Sequence, residues 1–194
     1  MVRARHLKQV LAAADLQAQR ELIRERVGAT LLAEIEGASG TDWLPVAYDV
    51  VLARALEEVL GASGLAAFNR EMMLQSFSGP LLRALVELSR AFLDLDAGAW
   101  ASWVPRGWQL MFKDCGRWTV VRRGEGEVTL TLAGMPSVCA TDGVWPRSVA
   151  SALSGILPAV GATGTVALER IDPAAGTAVY AMRWRPGRPP TAGA

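Results

Sequence analysis

Nucleophiles, bases and metal ligands are scarce in this chain. Of its 194 residues, two are cysteine and one is histidine. Cys115 and Cys139 do not form a CxxC pair, and two cysteines make no disulfide framework in a chain this long. They read as reduced, partly buried thiols. A catalytic thiolate needs a basic partner such as histidine, and His6 stands in an N-terminal segment expected to be mobile. One histidine and two separated cysteines compose no zinc-type donor set. The acidic pairs Asp94 with Asp96 and Glu57 with Glu58 read as solvated helix surface and end caps, because a hard-cation loop needs closer, patterned oxygen ligands. Ser148, Ser151 and Ser154 fall at helical spacing with no base to activate them, and small helix-packing residues are the better account. Gly124-Glu125-Gly126 resembles a phosphate loop only in form; it lies between strands with no helix behind it, and so is a hairpin turn. Neither GxxxxGK[ST] nor GxSxG occurs. The expectation is a protein that is not an enzyme and carries no metal or cofactor.

Tryptophan, by contrast, is concentrated. Five of the seven are Trp100, Trp103, Trp108, Trp118 and Trp145. They flank the point where helical patterning gives way to strand patterning. Such large rings build either a core or the apolar wall of a ligand site, and the sequence leaves both open. As a pocket, the walls would be Trp108, Met111, Phe112, Cys115, Trp118, Cys139 and Trp145.

Composition narrows the partners. The chain is 51% hydrophobic and 20% charged, with a formal net charge of +1. That suits one domain with a large core and argues against disorder. A charge of +1 gives no strong field toward nucleic acid or anionic membrane. Arg117, Arg122 and Arg123 lie near Trp118, and Arg183, Arg185 and Arg188 near Trp184, but strand alternation scatters them over both faces. No nucleic-acid partner is expected. The weak self-repulsion makes self-association easy. Residues 1–30 carry charges throughout and lack the apolar run of a secretory signal. Ser148 to Leu168 is free of charge, yet it contains Ser151, Ser154, Pro158, Thr163 and Thr165. It reads as helix, glycine turn and strand rather than a membrane span. A cytoplasmic location is expected.

The elements that must position these residues follow from periodicity. Residues 3–14 are a short helix or an ordered arm. Leu16, Ile23, Val27, Leu31 and Ile35 form one stripe over Leu16–Glu36. Tyr48, Val51, Leu52, Ala55 and Val59 line a helix after Asp42 that Gly61 closes. A shorter helix runs from Ser63 to Gln75. Ser78 caps a helix with Pro80 in its first turn and the apolar face Leu81, Leu85, Leu88 and Phe92. Another helical piece spans Asp96 to Phe112, kinked or split by Pro105 and Gly107. Trp118 to Arg122 and Val128 to Leu132 alternate about the Gly124–Gly126 turn as a hairpin. A helix begins at Pro146, and a second hairpin carries Val166, Leu168 and Ile171, then Tyr180, Met182 and Trp184. Residues 1–185 are expected to form a single α+β domain, with a helical layer packed on a four-stranded, mainly antiparallel sheet. The 186–194 tail is expected to be disordered.

Several stretches together carry a resemblance: Gly107-Trp108, Lys113-Asp114-Cys115-Gly116, Gly134-Met135-Pro136, Trp145 with Ser148-Val149, Asp172-Pro173 with Gly176-Thr177-Ala178, and Tyr180 to Trp184. Over roughly residues 20–185 they resemble a group of uncharacterised proteins expanded in myxobacteria. The strand-strand-helix-strand-strand ending resembles a wider superfamily that includes the haem nitric-oxide-binding domains, the 4-vinyl-reductase-type domains and the vesicle-tethering TRAPP subunits. The resemblance implies small-ligand sensing, or partner binding and dimerisation. The haem-binding branch ligates iron through a histidine on the helix preceding the sheet; Asp96 to Phe112 contains none, and a Tyr-x-Ser-x-Arg clamp is missing. The 4-vinyl-reductase-type branch often carries several late cysteines, and only Cys115 and Cys139 are present here.

Two readings follow. The first is a sensory or adaptor domain that binds an apolar small molecule or a protein partner, without haem, as a homodimer. The second is a dimerising scaffold or regulator of a small GTPase, like the TRAPP subunits, using the Leu81, Leu85, Leu88 and Phe92 face and no small-molecule ligand.

Overall fold

The computed structural model describes residues 1–77 and 96–186. The proposed interaction face Leu81, Leu85, Leu88 and Phe92 lies outside the described residues, as does 187–194.

The N-terminus is tied down. Strand β1 (Val2–Arg3) pairs antiparallel with β2 (Trp43–Leu44), and Val2 also bridges to Phe112. Helix α1 (Ala4–Ala14) follows at once and buries Ala4, Leu7, Val10, Leu11 and Ala14 along one side. The expectation of a mobile segment around His6 is therefore corrected: His6 sits in an ordered helix held by a strand pair and an apolar stripe.

The stripe over Leu16–Glu36 does not make one helix. The structure has α2 (Arg20–Val27) and α3 (Ala29–Gly37), parted at Gly28 with φ of 88°. That backbone conformation suits glycine and cannot continue a helix. Leu16 falls outside both helices and is 84% exposed, whereas Ile23, Val27, Leu32 and Ile35 are buried. Arg24 holds the bend, reaching Asp15 at 3.2 Å and Glu36 at 2.6 Å. Helix α4 (Ala47–Phe77) covers both expected middle helices, with a break at Gly61, where φ is 72°.

Past the undescribed segment, Asp96 caps α5 (Ala97–Ala101) by accepting the Ala99 N–H at 2.9 Å. Helix α6 (Val104–Met111) begins with Pro105 in its first turn. Proline's missing N–H costs no helical bond there. The expected split is thus real, but it falls just before the proline.

The sheet comprises β3 (Arg117–Gly124), β4 (Glu127–Ala133), β5 (Ala162–Asp172) and β6 (Thr177–Pro186). Their order is β3-β4-β6-β5, with antiparallel neighbours throughout. Between the hairpins come α7 (Ser137–Ala140), α8 (Val144–Ser154) and α9 (Ile156–Ala159). Alternation sends Val128, Leu130 and Leu132 of β4 inward, with Ala178, Tyr180, Met182 and Trp184 of β6 beside them; Ala181, on the opposite face, is buried as well. Strand β5 lies at an edge and is mostly exposed. Pro186, expected to open the tail, ends β6 opposite Ala162. The described residues share one contiguous apolar core in which α8 packs on α4 and β5. The architecture is α+β, as the periodicity predicts. No helix among the described residues is long and apolar enough to cross a membrane.

Candidate functional site

Four elements converge where the helices meet the sheet. Trp108 on α6 and Phe112, one turn later, stack with ring centroids 4.1 Å apart. Trp118 of β3 meets Trp108 edge-on at 5.5 Å. Trp145 of α8 meets Trp108 at 5.7 Å and Phe112 at 6.0 Å, also edge-on. Tyr180 of β6 completes the array, 5.3 Å from Trp118. All five rings are buried. Edge-on and offset contacts of this kind each contribute about 0.5–1.5 kcal/mol beyond the area they bury.

The polar atoms of the cluster divide sharply. The Trp145 indole N–H donates to Asp49 Oδ2 at 2.8 Å. The other oxygen of Asp49 lies 3.3 Å from His6 Nε2. The His6 ring in turn meets Phe112 edge-on at 5.5 Å. In contrast, Trp108 Nε1, Trp118 Nε1 and the Tyr180 hydroxyl are buried with no hydrogen-bond partner. Each such orphan costs about 1–3 kcal/mol relative to a satisfied group. Trp100 Nε1 and the Ser148 hydroxyl are buried without a partner as well, and each such group calls for its own account, whether strain, an ordered water or a ligand contact.

The seven sequence-derived wall residues distribute as follows. Trp108, Phe112, Trp118 and Trp145 are in mutual ring contact. Cys115 and Cys139 are buried in the same core, and Met111 is half-buried against it. Only Trp108 and Phe112 of the seven face an open groove of about 520 Å³, which is also lined by Trp43, Lys113, Asp114 and Arg117. Sequence reasoning missed Tyr180 as a member of the cluster, although its alternation with Met182 and Trp184 was visible. It also missed Asp49, a lone carboxylate in an amphipathic helix, and His6.

Burial dominates the acid–base character of the site. It pushes the Cys115 thiol up, and pushes Cys139 up to about 12, with Cys115 and Asp49 adding to the effect. The Tyr180 hydroxyl is raised by burial and then by Cys139. Neither thiol is prepared as a nucleophile. Among the described residues no group of three or more His, Cys, Asp and Glu side chains is arranged to hold a metal ion.

The raised Cys139 thiol has a pH signature. In the unfolded chain it ionises near 9.0, whereas in the folded state it holds its proton to about 12. Its contribution to stability is complete below the lower value and is lost as pH rises toward the upper one. Unfolding free energy is expected to fall above pH 9, by up to about 1.4 kcal/mol per pH unit. Cys139→Ala is expected to flatten that slope. Urea titrations of both proteins at pH 8, 9 and 10 measure the difference, and equal slopes would refute it.

Comparison with solved structures places the fold among H-NOX proteins. The Fe(II) unliganded H-NOX protein from K. algicida superimposes with a TM-score of 0.68 and 7% identity, covering 94% of this chain and 96% of that one. A variant H-NOX protein from S. oneidensis in the Fe(II) state gives 0.61 and 9% identity, over 96% of this chain and 98% of its own. The solution structure of the IWP-051-bound Fe(II)CO H-NOX from Shewanella woodyi gives 0.58 and 11%, over 96% and 94%. These identities establish a shared fold. No protein-family model and no curated protein gives a significant match to the sequence, and nothing in the comparisons supports the likeness to the myxobacterial group.

Proposed function

We propose that the protein is a non-enzymatic sensory or adaptor domain that binds a small apolar molecule in the groove over the helix–sheet junction, without haem. The observation that carries this reading is the ring cluster. Trp108 and Phe112 expose part of it to a groove of about 520 Å³, while Trp108 Nε1, Trp118 Nε1 and the Tyr180 hydroxyl stay unpaired beneath. Ligand sites combine apolar ring walls with a few polar groups, and the groove sets Trp43, Trp108 and Phe112 beside Gln109, Lys113, Asp114 and Arg117. The fold shared with H-NOX proteins supports a sensory role by analogy.

Haem, which H-NOX structures contain, does not fit these residues. Among the described residues, the large buried side chains of α5, α6 and the residue after them are Trp100, Trp108 and Phe112, none with a lone pair suited to iron. The single histidine, His6, is on α1 and engages Asp49. Burial holds both thiols protonated. The volume at the junction is occupied by the stacked and edge-on rings of Trp108, Phe112, Trp118 and Trp145.

The test is direct. Native mass spectrometry of the purified protein, together with tryptophan emission during titration with aliphatic and aromatic apolar probes, is expected to show a bound small molecule or a saturable emission shift. An empty protein with unchanged emission for every probe would exclude the reading.

A further inference from the structure

The 520 Å³ groove over the ring cluster carries charge as well as rings. The geometry points to this groove as a recognition site for a small aromatic carboxylate. The inference rests on the small-ligand reading above and names the chemical class of ligand.

Two kinds of contact are in place. Trp43, Trp108 and Phe112 offer ring surfaces along one groove. Flat aromatic bodies gain most from such walls through offset or edge-on contact. Lys113 and Arg117 line the same groove, and neither side chain makes an ion pair or hydrogen bond among the described residues. Arg24, Arg54, Arg122, Arg147 and Arg183 each meet a carboxylate; Lys113 and Arg117 differ from the other cations without such a partner in standing beside ring surface in one groove. Asp114 is the one acidic residue lining the groove, set against the two cations. A third cation, Arg3, lies with Cζ 3.9 Å from the centroid of the Trp43 ring and stiffens that wall.

Trp108 is 7% exposed and meets the groove with its ring, its indole nitrogen lying buried below. A ligand carboxylate beside these rings would face Lys113 and Arg117, and charge-assisted bonds are the strong kind. A neutral ligand would forgo those bonds. The backbone supports the corner: Asp114 at φ 55° and Gly116 at φ 91° fold residues 112–117 tightly between α6 and β3. Asp114 is the only non-glycine residue with positive φ among those described, a strain commonly kept at ligand sites. The volume is within the usual range for small-molecule sites.

Isothermal titration with 2-naphthoate and with its neutral analogue 2-naphthamide tests this. Naphthoate is expected to bind about tenfold or more tightly than naphthamide, with a preference that shrinks as salt rises. The double variant Lys113→Gln/Arg117→Gln is expected to bring naphthoate down to the affinity of naphthamide, and thermal melting confirms that the variant is folded. Lys113→Arg is expected to retain the preference. Equal binding of the two probes overturns the anion site and leaves the apolar-ligand reading standing. A naphthoate preference that survives in the double variant overturns the groove assignment. No binding of either probe overturns the aromatic-carboxylate site, while the apolar-ligand reading is decided by the wider probe set and the native mass spectrum described above.

Discussion

Replacing Trp145 by alanine is expected to destabilise the protein by about 3–5 kcal/mol and to lower its Tm by roughly 10–15 °C. Trp145 is 1% exposed. Its ring packs edge-on against the stacked pair Trp108 and Phe112, so alanine leaves a cavity beside them that the stacked rings cannot close. The substitution also removes the N–H that Asp49 Oδ2 accepts at 2.8 Å. The Asp49 side chain is only 12% exposed and would keep His6 as its one remaining partner in the cluster. Trp145→Phe separates the two effects. It retains most of the packing but breaks the bond to the carboxylate, for an expected cost of about 1–3 kcal/mol. Urea unfolding of the three proteins gives both differences. A loss below about 1 kcal/mol for the alanine variant would contradict the packing described here.

The second large effect is at the sheet edge. Gly164 of β5 pairs with Trp184 of β6. An added Cβ would lie 2.0 Å from the Arg183 carbonyl oxygen and 2.7 Å from Trp184 Cα. Both obstacles are backbone, so no rotamer change relieves them. Gly164→Ala must push β5 away from β6 along the Ala162–Val166 stretch. The expected cost is about 3–4 kcal/mol, at the upper end of overpacking penalties. Gly124→Ala serves as the control: nothing lies within 4 Å of its added Cβ, and a change within about 0.5 kcal/mol is expected. Thermal unfolding measures both, and hydrogen exchange of the β5 amides locates the loss. Equal tolerance at the two positions would show that the strands separate freely.

Trp184 links that edge to the helical layer. A Cβ on Gly98 of α5 would sit 3.0 Å from the far edge of the Trp184 ring. Glycine at that position lets the helix approach the sheet. Arg122 of β3 adds an ion pair to Asp96 at 2.5 Å. Both groups are partly exposed, so the pair contributes little beyond orientation.

Much of the fold was legible in the sequence because side-chain period is a local property. Val128, Leu130 and Leu132 alternate with Thr129 and Thr131, and the structure buries the first set and half-exposes the second. Tyr180, Met182 and Trp184 are buried likewise, although Ala181 between the first two is buried too. The chemistry-poor composition was equally plain. Less legible was the bend at Gly28, because the apolar spacing of Ile23, Val27, Leu31 and Ile35 runs across it without interruption. Periodicity averages over a window, and a single positive φ ends a helix inside that window.

The candidate site was legible only as a concentration of tryptophan. Trp108 and Phe112 are four residues apart on consecutive turns, so their contact follows from helix geometry. The participation of Tyr180, Asp49 and His6 does not. They come from β6, α4 and α1, and the sheet order β3-β4-β6-β5 brings Tyr180 to Trp118 across an intervening strand. Trp43 reaches the groove from a two-residue strand held only by its partner β1, too short to leave a pattern.

By itself, then, the sequence determined the element types, the inward and outward faces of the two hairpins, and the poverty of bases and metal ligands, since each depends on residue identity and short-range spacing. Only the tertiary structure decided which buried donors lack partners, that His6 and Trp145 share one carboxylate, and that Lys113 and Arg117 stand unpaired beside exposed ring surface. Those are relations between residues up to about a hundred positions apart, and chain spacing carries no record of distances that packing alone creates.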